Sequence, residues 1–394
     1  MKITAVKPFP LNIGGRRQVY VKVYTDEGIS GLGEAGLWPG EMPVVEAIRA
    51  AERALVGEDP SRLDHLWQKL FRGSFWRGGP VYGAAISAID IALWDLQGKA
   101  LGVPVYKLLG GKSRDKVLTY GHLGDVDHDT LVRRAKEMVA AGWKAIRFAV
   151  LENVPSRILE PGLAVRQCVK NMAAVREAVG DDIDICIDFH LRLSPAYAVE
   201  LGRALEPFRP YFIEDPIRFE NPASYRQVRD HVHVPIATGE HLTGKWAFAG
   251  LIENDLINYA RPDLCVFGGL TEARKLAGWC EAHYIDMAPH NPLGPVSSAA
   301  CVHLCTAVPN FGVLECTWRP GEHAYNPYDR QGQAYQRMLS EVISGGPGWE
   351  DGYYVASEAP GLGVELNEEA AARYPYEPSD LILLWRKDGS LTDW

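Results

Sequence analysis

The sequence predicts an α/β fold in which a closed parallel barrel follows a smaller α+β region. Two observations carry that reading. From about residue 116, eight short apolar, β-branched runs alternate with helical patterns, which argues a closed parallel barrel and not an open sheet. Three acids each end such a run: Asp188 in ICIDFH, Glu214 in FIEDP and Glu240 in ATGEH. They stand 26 residues apart and 26 again, about one strand, one helix and two loops.

Taken in order, QVYVKVYTDEGISGLGEAG reads as two strands around Asp26-Glu27-Gly28, a hairpin signal. Helical periodicity covers 42–57, 61–72 and 82–101. In the last, Ile86, Ile89, Ala92, Leu93 and Leu96 recur at spacings of three and four, and Gly102 and Pro104 stop the helix. Barrel strands are expected at VLTYG (117–121), KAIRFAV (144–150), IDICID (183–188), PYFIED (210–215), VPIATGE (234–240), LCVFGG (264–269), IDMAPH (285–290) and FGVLEC (311–316). Helices lie between most of them, for example 129–141, 194–207 and 271–283. The tail is rich in Pro, Gly and Tyr and is expected to pack back on the first region. The expected division is 1–115, 116–325 and 326–394.

Composition excludes several function classes. At 394 residues, 47% apolar and 23% charged, the chain is an ordinary large globular protein. A net charge of −9 without a basic stripe argues against nucleic acid. No run of 18 apolar residues predicts a membrane span, and MKITAVKPFPLNIGG has no signal-peptide pattern. The seven cysteines form no CxxC pair, so reduced, buried thiols in a cytoplasm are expected. No GxGxxG follows a strand and no GxxxxGK[ST] occurs, so nucleotide binding has no motif support.

In a parallel barrel the reactive groups gather at the C-terminal ends of the strands. Asp188, Glu214 and Glu240 would converge there. Three neighbouring carboxylates repel one another unless a cation joins them, and three hard oxygen ligands suit Mg²⁺. His190, two residues past Asp188, falls on the same face if the strand continues. Asp263 ends strand six and His290 ends strand seven. A carboxylate against an imidazole fixes its tautomer and raises its basicity, which suits a general base. In KAIRFAV the inward set is Ala145, Arg147 and Ala149. Arg147 is either an ion-pair partner of the acids or a substrate contact. Glu315, at the end of strand eight, either hydrogen-bonds the substrate or pairs internally. His241 has the opposite parity to Glu240 in a regular strand. Trp38, Trp76 and Arg77 are candidates to cap the pocket, and Tyr120 and His122 on strand one stay undecided.

CIDFH, FIEDP and ATGEH resemble the metal ligands of the enolase superfamily, in its mandelate racemase-like subgroup. AISAIDIALWDLQGKALGVPVYKLLGG (85–111) is similar to that subgroup's signature helix, and DEGISGLGE to its capping domain. The resemblance implies a modified TIM barrel, (β/α)7β, with an N-terminal α+β capping domain completed by the C-terminal tail. DFH, PYFIEDP, TGEH, RPDLCVFGGLTEARK and APHNPLGP together resemble galactonate dehydratase and related acid-sugar dehydratases. That implies Mg²⁺ on the three acids, His290 as base with Asp263, and His190 as general acid. The strand-two KxK of mandelate racemase falls on Arg147 and Ala149, which speaks against racemisation. His241 and the stretch TWRPGEH (317–323) depart from galactonate dehydratase where they could alter substrate choice.

The expected reaction removes the C2 proton of an aldonate such as galactonate and expels the C3 hydroxyl, giving a 2-keto-3-deoxy acid. Capping loops around 14–20 and 36–42 would close over it. The rival readings are a hydroxy-acid epimerase or racemase and a non-catalytic binding protein. By resemblance the chain is expected to be a homo-oligomer, a dimer or octamer.

Overall fold

A computed structural model describes residues 1–124, 127–150, 157–319 and 333–393. The first region opens with an antiparallel meander, β1 (Ile3–Ile13), β2 (Arg16–Thr25) and β3 (Ser30–Ala35). The Asp26–Gly28 turn joins β2 to β3 as expected; β1 was not anticipated, because Pro8 and Pro10 interrupt its alternation. Helices α1 (Glu41–Leu55), α2 (Leu63–Arg72) and α3 (Pro80–Leu101) follow close to their predicted bounds.

Helix α3 joins this sheet to the barrel. Residues 84–96 are all buried, and each buried Ile or Leu stabilises the fold by about 1.5–3 kcal/mol. A Cβ on Gly31 or Gly33 would fall 1.9 Å from the carbonyl oxygen of Ala92 or Ala88, so glycine alone lets β3 lie this close. Three polar groups of α3 reach the barrel. Ser87 Oγ accepts from Gly268 N (2.8 Å), and Asp90 Oδ2 accepts from Thr271 N (2.9 Å). Trp94 Nε1 donates to Thr271 Oγ1 (2.9 Å).

After a single turn, α4 (Val105–Leu108), the barrel begins. Its strands are β4 (Val117–His122), β5 (Ala145–Ala149), β6 (Asp184–Asp188), β7 (Phe212–Glu214), β8 (Ile236–Thr238), β9 (Tyr259–Ala260), β10 (Asp286–Met287) and β11 (Leu314–Cys316). They pair in parallel and in chain order from β4 to β10. The circle closes because β11 pairs β4 and Phe311, just before β11, bridges Met287 of β10. Helices between the strands include α5 (His128–Ala140), α6 (Pro161–Val179), α7 (Pro195–Leu205), α8 (Tyr225–Arg229) and α9 (Ala249–Ile252).

Strand six needs correction. LCVFGG is not a strand: residues 264–267 form a single helical turn, α10 (Leu264–Phe267), and the strand is Tyr259–Ala260. The run is apolar because it is buried all round, and periodicity does not separate a buried turn from a buried strand. Asp263 N-caps the turn, its Oδ1 accepting from Cys265 N at 2.7 Å. Gly268 and Gly269, at φ 131° and 73°, then lead into α11 (Gly269–Ala282). Helix α12 (Pro295–Ala307) precedes β11.

The tail returns to the capping sheet. Tyr374 O accepts from Asn12 N (3.1 Å), Pro375 bridges Leu11, and Glu368 binds Lys22 Nζ and Tyr24 OH at 2.7 Å each.

Candidate active site

One alternation rule builds the site. Inside the barrel an apolar floor is packed from Tyr120, Ala145, Cys186, Phe212, Ala237, Ala288 and Val313. Strand side chains repeat every two residues, so the next inward position on each strand lies one layer nearer the C-terminal mouth. Those positions are His122, Arg147, Asp188, Glu214, Gly239, His290 and Glu315, and Arg261 follows Tyr259 in the same way. Asp188 and Glu214 are direct partners in the β6–β7 register. Glu240 lies one residue past its strand's inward position. Gly239, at φ 134°, turns the chain there, and a Cβ on it would stand 2.4 Å from the Phe248 ring.

The layer is a buried ring of charge. Arg147 Nη1 donates to His122 Nδ1 (2.8 Å), and His122 Nε2 pairs with Glu315 Oε1 (2.8 Å). Glu315 Oε2 lies 3.3 Å from Arg261 Nη2, which lies 2.8 Å from Glu214 Oε1 and 4.0 Å from Glu240 Oε2. Arg147 closes the ring, its Nη2 in contact with Asp188 Oδ2 and its Nε 3.4 Å from Glu214 Oε2. Of the two roles open to Arg147, the structure places it as an ion-pair partner. Glu315 is paired within the protein and also accepts from Asn291 N (2.8 Å). Arg261 and the His122 bridge were not anticipated, although the +2 step from Tyr259 and Tyr120 would have found both.

The acids suit a cation. Asp188 and Glu214 are fully buried, and Glu214 meets the guanidiniums of Arg261 (2.8 Å) and Arg147 (3.4 Å). Burial pushes the Glu214 carboxyl up to about 7 despite Arg261 and Arg147, so its ionised form is short of positive charge. Burial acts on Glu240 in the same sense, but His290 and His241 outweigh it and hold Glu240 well below the usual carboxylate range. Among the described residues the one set of three possible ligands whose donor atoms all lie within 4.8 Å of one another is Asp215, Glu240 and His241; the expected trio Asp188, Glu214 and Glu240 is not drawn together to that degree. Asp215 was not anticipated either; its Oδ1 accepts from Thr238 Oγ1.

His290 and Asp263 meet. A backbone bridge pairs the two residues, and His290 Nδ1 lies 2.9 Å from Asp263 Oδ2. Nε2 therefore faces the acids, 3.6 Å from Glu240 Oε2 and 3.9 Å from Glu315 Oε2. Burial opposes the imidazolium, but Glu240, Glu315 and Asp263 prevail and raise His290 to about 10.

His190 reaches its place differently from the expected strand alternation. The strand ends at Asp188, and His190 and Leu191 take left-handed φ values of 52° and 61°. Its amide donates to Asp188 Oδ1 at 2.6 Å. Burial, reinforced by Arg192, holds its imidazole well below the usual range.

Sequence comparison places this architecture. The description "Enolase C-terminal domain-like" matches residues 130–370, and "Mandelate racemase / muconate lactonizing enzyme, N-terminal domain" matches 2–110.

The chain belongs to the enolase superfamily.

Within that superfamily it is 37% identical to a D-galactonate dehydratase of Ralstonia nicotianae, over 100% of both chains. It is 36% identical to a D-galactonate dehydratase family member of Halomonas elongata, covering 96% of this chain and 97% of that one. The crystal structure of an enolase from Pantoea ananatis with bound D-gluconate and Mg superposes with a TM-score of 0.90 at 31% identity, covering 100% of this chain and 99% of the other.

As an enolase-superfamily member the chain carries its capping domain over the barrel mouth. Arg16 Nη2 donates to Pro292 O (2.9 Å), two residues past His290. Gly36 N donates to Cys265 O (2.9 Å), two residues past Asp263. These contacts fall in both loops expected to close the site. Trp38 follows the second anchor and is 37% exposed. Trp76 stands away, 78% exposed beside Phe75. His241 departs from its expected parity, because the chain has already turned at Gly239. Its Nε2 lies 3.4 Å from Glu240 Oε1, and its ring stacks on Phe219 at 5.0 Å. Residues 320–323 of the TWRPGEH stretch lie outside the described residues.

Proposed function

We propose that this chain is a Mg²⁺-dependent dehydratase of a sugar acid, an aldonate of the galactonate type. The observation that carries the reading is the Asp263–His290 pair, held 2.9 Å apart with its free nitrogen toward the acid cluster. The named relatives, D-galactonate dehydratases among them, support the substrate class.

Asp188, Glu214 and Glu240 would hold the cation. Bound there, Mg²⁺ supplies the positive charge that makes a proton beside a carboxylate removable, the chemistry known for enolase-superfamily sites with a Lys or His base. The protein's own groups do the rest. Asp263 accepts from His290 Nδ1; a cation held by the acids would offset the negative charge that keeps His290 protonated, and in the neutral imidazole Nε2 is open to take the C2 proton. His190, which must first take up a proton against its burial, delivers it to the departing C3 hydroxyl. Glu315, fixed by His122, Arg261 and Asn291 N, faces His290 from the floor. Trp38 and His241 bound the pocket mouth and contact the substrate's distal hydroxyls, while Arg147 lies beneath its carboxylate end. The loops anchored at Pro292 and Cys265 exclude water.

The seven cysteines are free and buried, which suits a reducing cytoplasm. No helix among the described residues is long and apolar enough to cross a membrane. We place the enzyme in the cytoplasm as a homo-oligomer, a dimer or octamer. The test is a panel of aldonic acids incubated with the protein and Mg²⁺ and assayed for 2-keto-3-deoxy acids. Turnover of at least one member is expected; no turnover across the panel would defeat the proposal.

A further inference from the structure

The charged layer does not balance. Asp188, Glu214, Glu240 and Glu315 face two guanidiniums, Arg147 and Arg261, so carboxylates outnumber guanidiniums in this layer.

The two arginines are held in different ways. Arg261 is fully buried, donates through Nη1 to Ala288 O (3.0 Å) and lies 5.8 Å from the centres of the Tyr120 and Phe212 rings. These contacts anchor it against the floor. Arg147 is held from the mouth side, by Asp188 Oδ2, Glu214 Oε2 and His122 Nδ1. Two residues on along its strand, the next inward side chain is only the methyl of Ala149.

From this we infer that Arg147 is a tethered counter-cation, which holds Asp188 and Glu214 together until a divalent cation takes its place on them. The inference rests on the assignment of Asp188, Glu214 and Glu240 as the metal ligands. Two buried carboxylates with no cation between them would repel strongly in a low-dielectric barrel. A resident guanidinium keeps them ionised and adjacent, so the site is organised before metal arrives. The cost is competition, since metal must displace Arg147 and its measured affinity is lower than the acids alone would give.

The test is titration calorimetry of the full chain with MgCl₂, beside melting curves in chelator and in saturating Mg²⁺. Arg147→Met removes the charge and keeps most of the stem. It should bind Mg²⁺ tighter than the unmodified chain, by roughly tenfold or more, and show a larger rise in melting temperature on adding Mg²⁺. Arg147→Lys keeps one charge but cannot span both acids, so its affinity should lie between. Should the Met variant fail to fold in chelator, the Lys variant decides. Equal or weaker affinity in the variants overturns the role given to Arg147. A separate outcome strikes the ligand assignment itself: no Mg²⁺ binding by the unmodified chain, or binding lost in Asp215→Asn and kept in Glu214→Gln.

Discussion

Asp263→Asn separates orientation of the base from folding of the site. Asp263 has two partners: Oδ1 accepts from Cys265 N at 2.7 Å, and Oδ2 faces His290 Nδ1 at 2.9 Å. A backbone amide can only donate, so the asparagine must keep its oxygen on Cys265 and turn its NH₂ toward His290. Nδ1 then has to accept, which moves the imidazole proton to Nε2, the nitrogen that must take the C2 proton. Asparagine is as good an N-cap as aspartate, so the unfolding free energy should change by less than about 1 kcal/mol. A misdirected general base should lower the rate by about 10²–10⁴, or about 2.7–5.4 kcal/mol of barrier. The assay is C2 hydrogen–deuterium exchange of the substrate in D₂O, followed by proton NMR at saturating Mg²⁺. Exchange within threefold of the unmodified enzyme would refute the pairing's role, and a loss that tracks unfolding would make Asp263 structural.

Two further perturbations test the scaffold. Gly239→Ala places a Cβ against Phe248 at a left-handed φ and swings Glu240, so it should cost roughly 2–5 kcal/mol of stability and weaken Mg²⁺ binding; denaturant melts and calorimetry unchanged from the parent would contradict the part assigned to this turn. Asp90 is pushed up to about 7 by burial, against the opposing Thr271 donors. A carboxyl harder to ionise when folded costs stability as pH rises from its unfolded value near 4 to about 7, at most about 4 kcal/mol. Asp90→Asn should flatten that span of the stability–pH curve, and parallel curves for variant and parent would rule the explanation out.

The sequence made much of this legible because barrel strands carry their own punctuation. Apolar runs ending in an acid located β6 and β7, and strand parity placed Asp188, Glu214 and Arg147 inward. The errors arose where strand parity stops. Strand six has two residues, Tyr259 and Ala260, too few for any period, while the buried turn LCVFGG beside it imitated a strand. His190 and Glu240 lie past their strand ends, carried by left-handed residues that alternation does not describe. Asp263 and His290 were paired correctly despite the misplaced strand, because both follow the last residues of adjacent strands. Arg261 went unread in the very motif that supplied Asp263, because placing the strand at LCVFGG hid the +2 step from Tyr259.

Isotope placement in the product tests the central claim most directly. With a turned-over aldonate in D₂O, loss of the C2 proton followed by departure of the C3 hydroxyl yields a 2-keto-3-deoxy acid carrying one deuterium at C3. Recovered substrate inverted and deuterated at C2, with no keto acid formed, would contradict it.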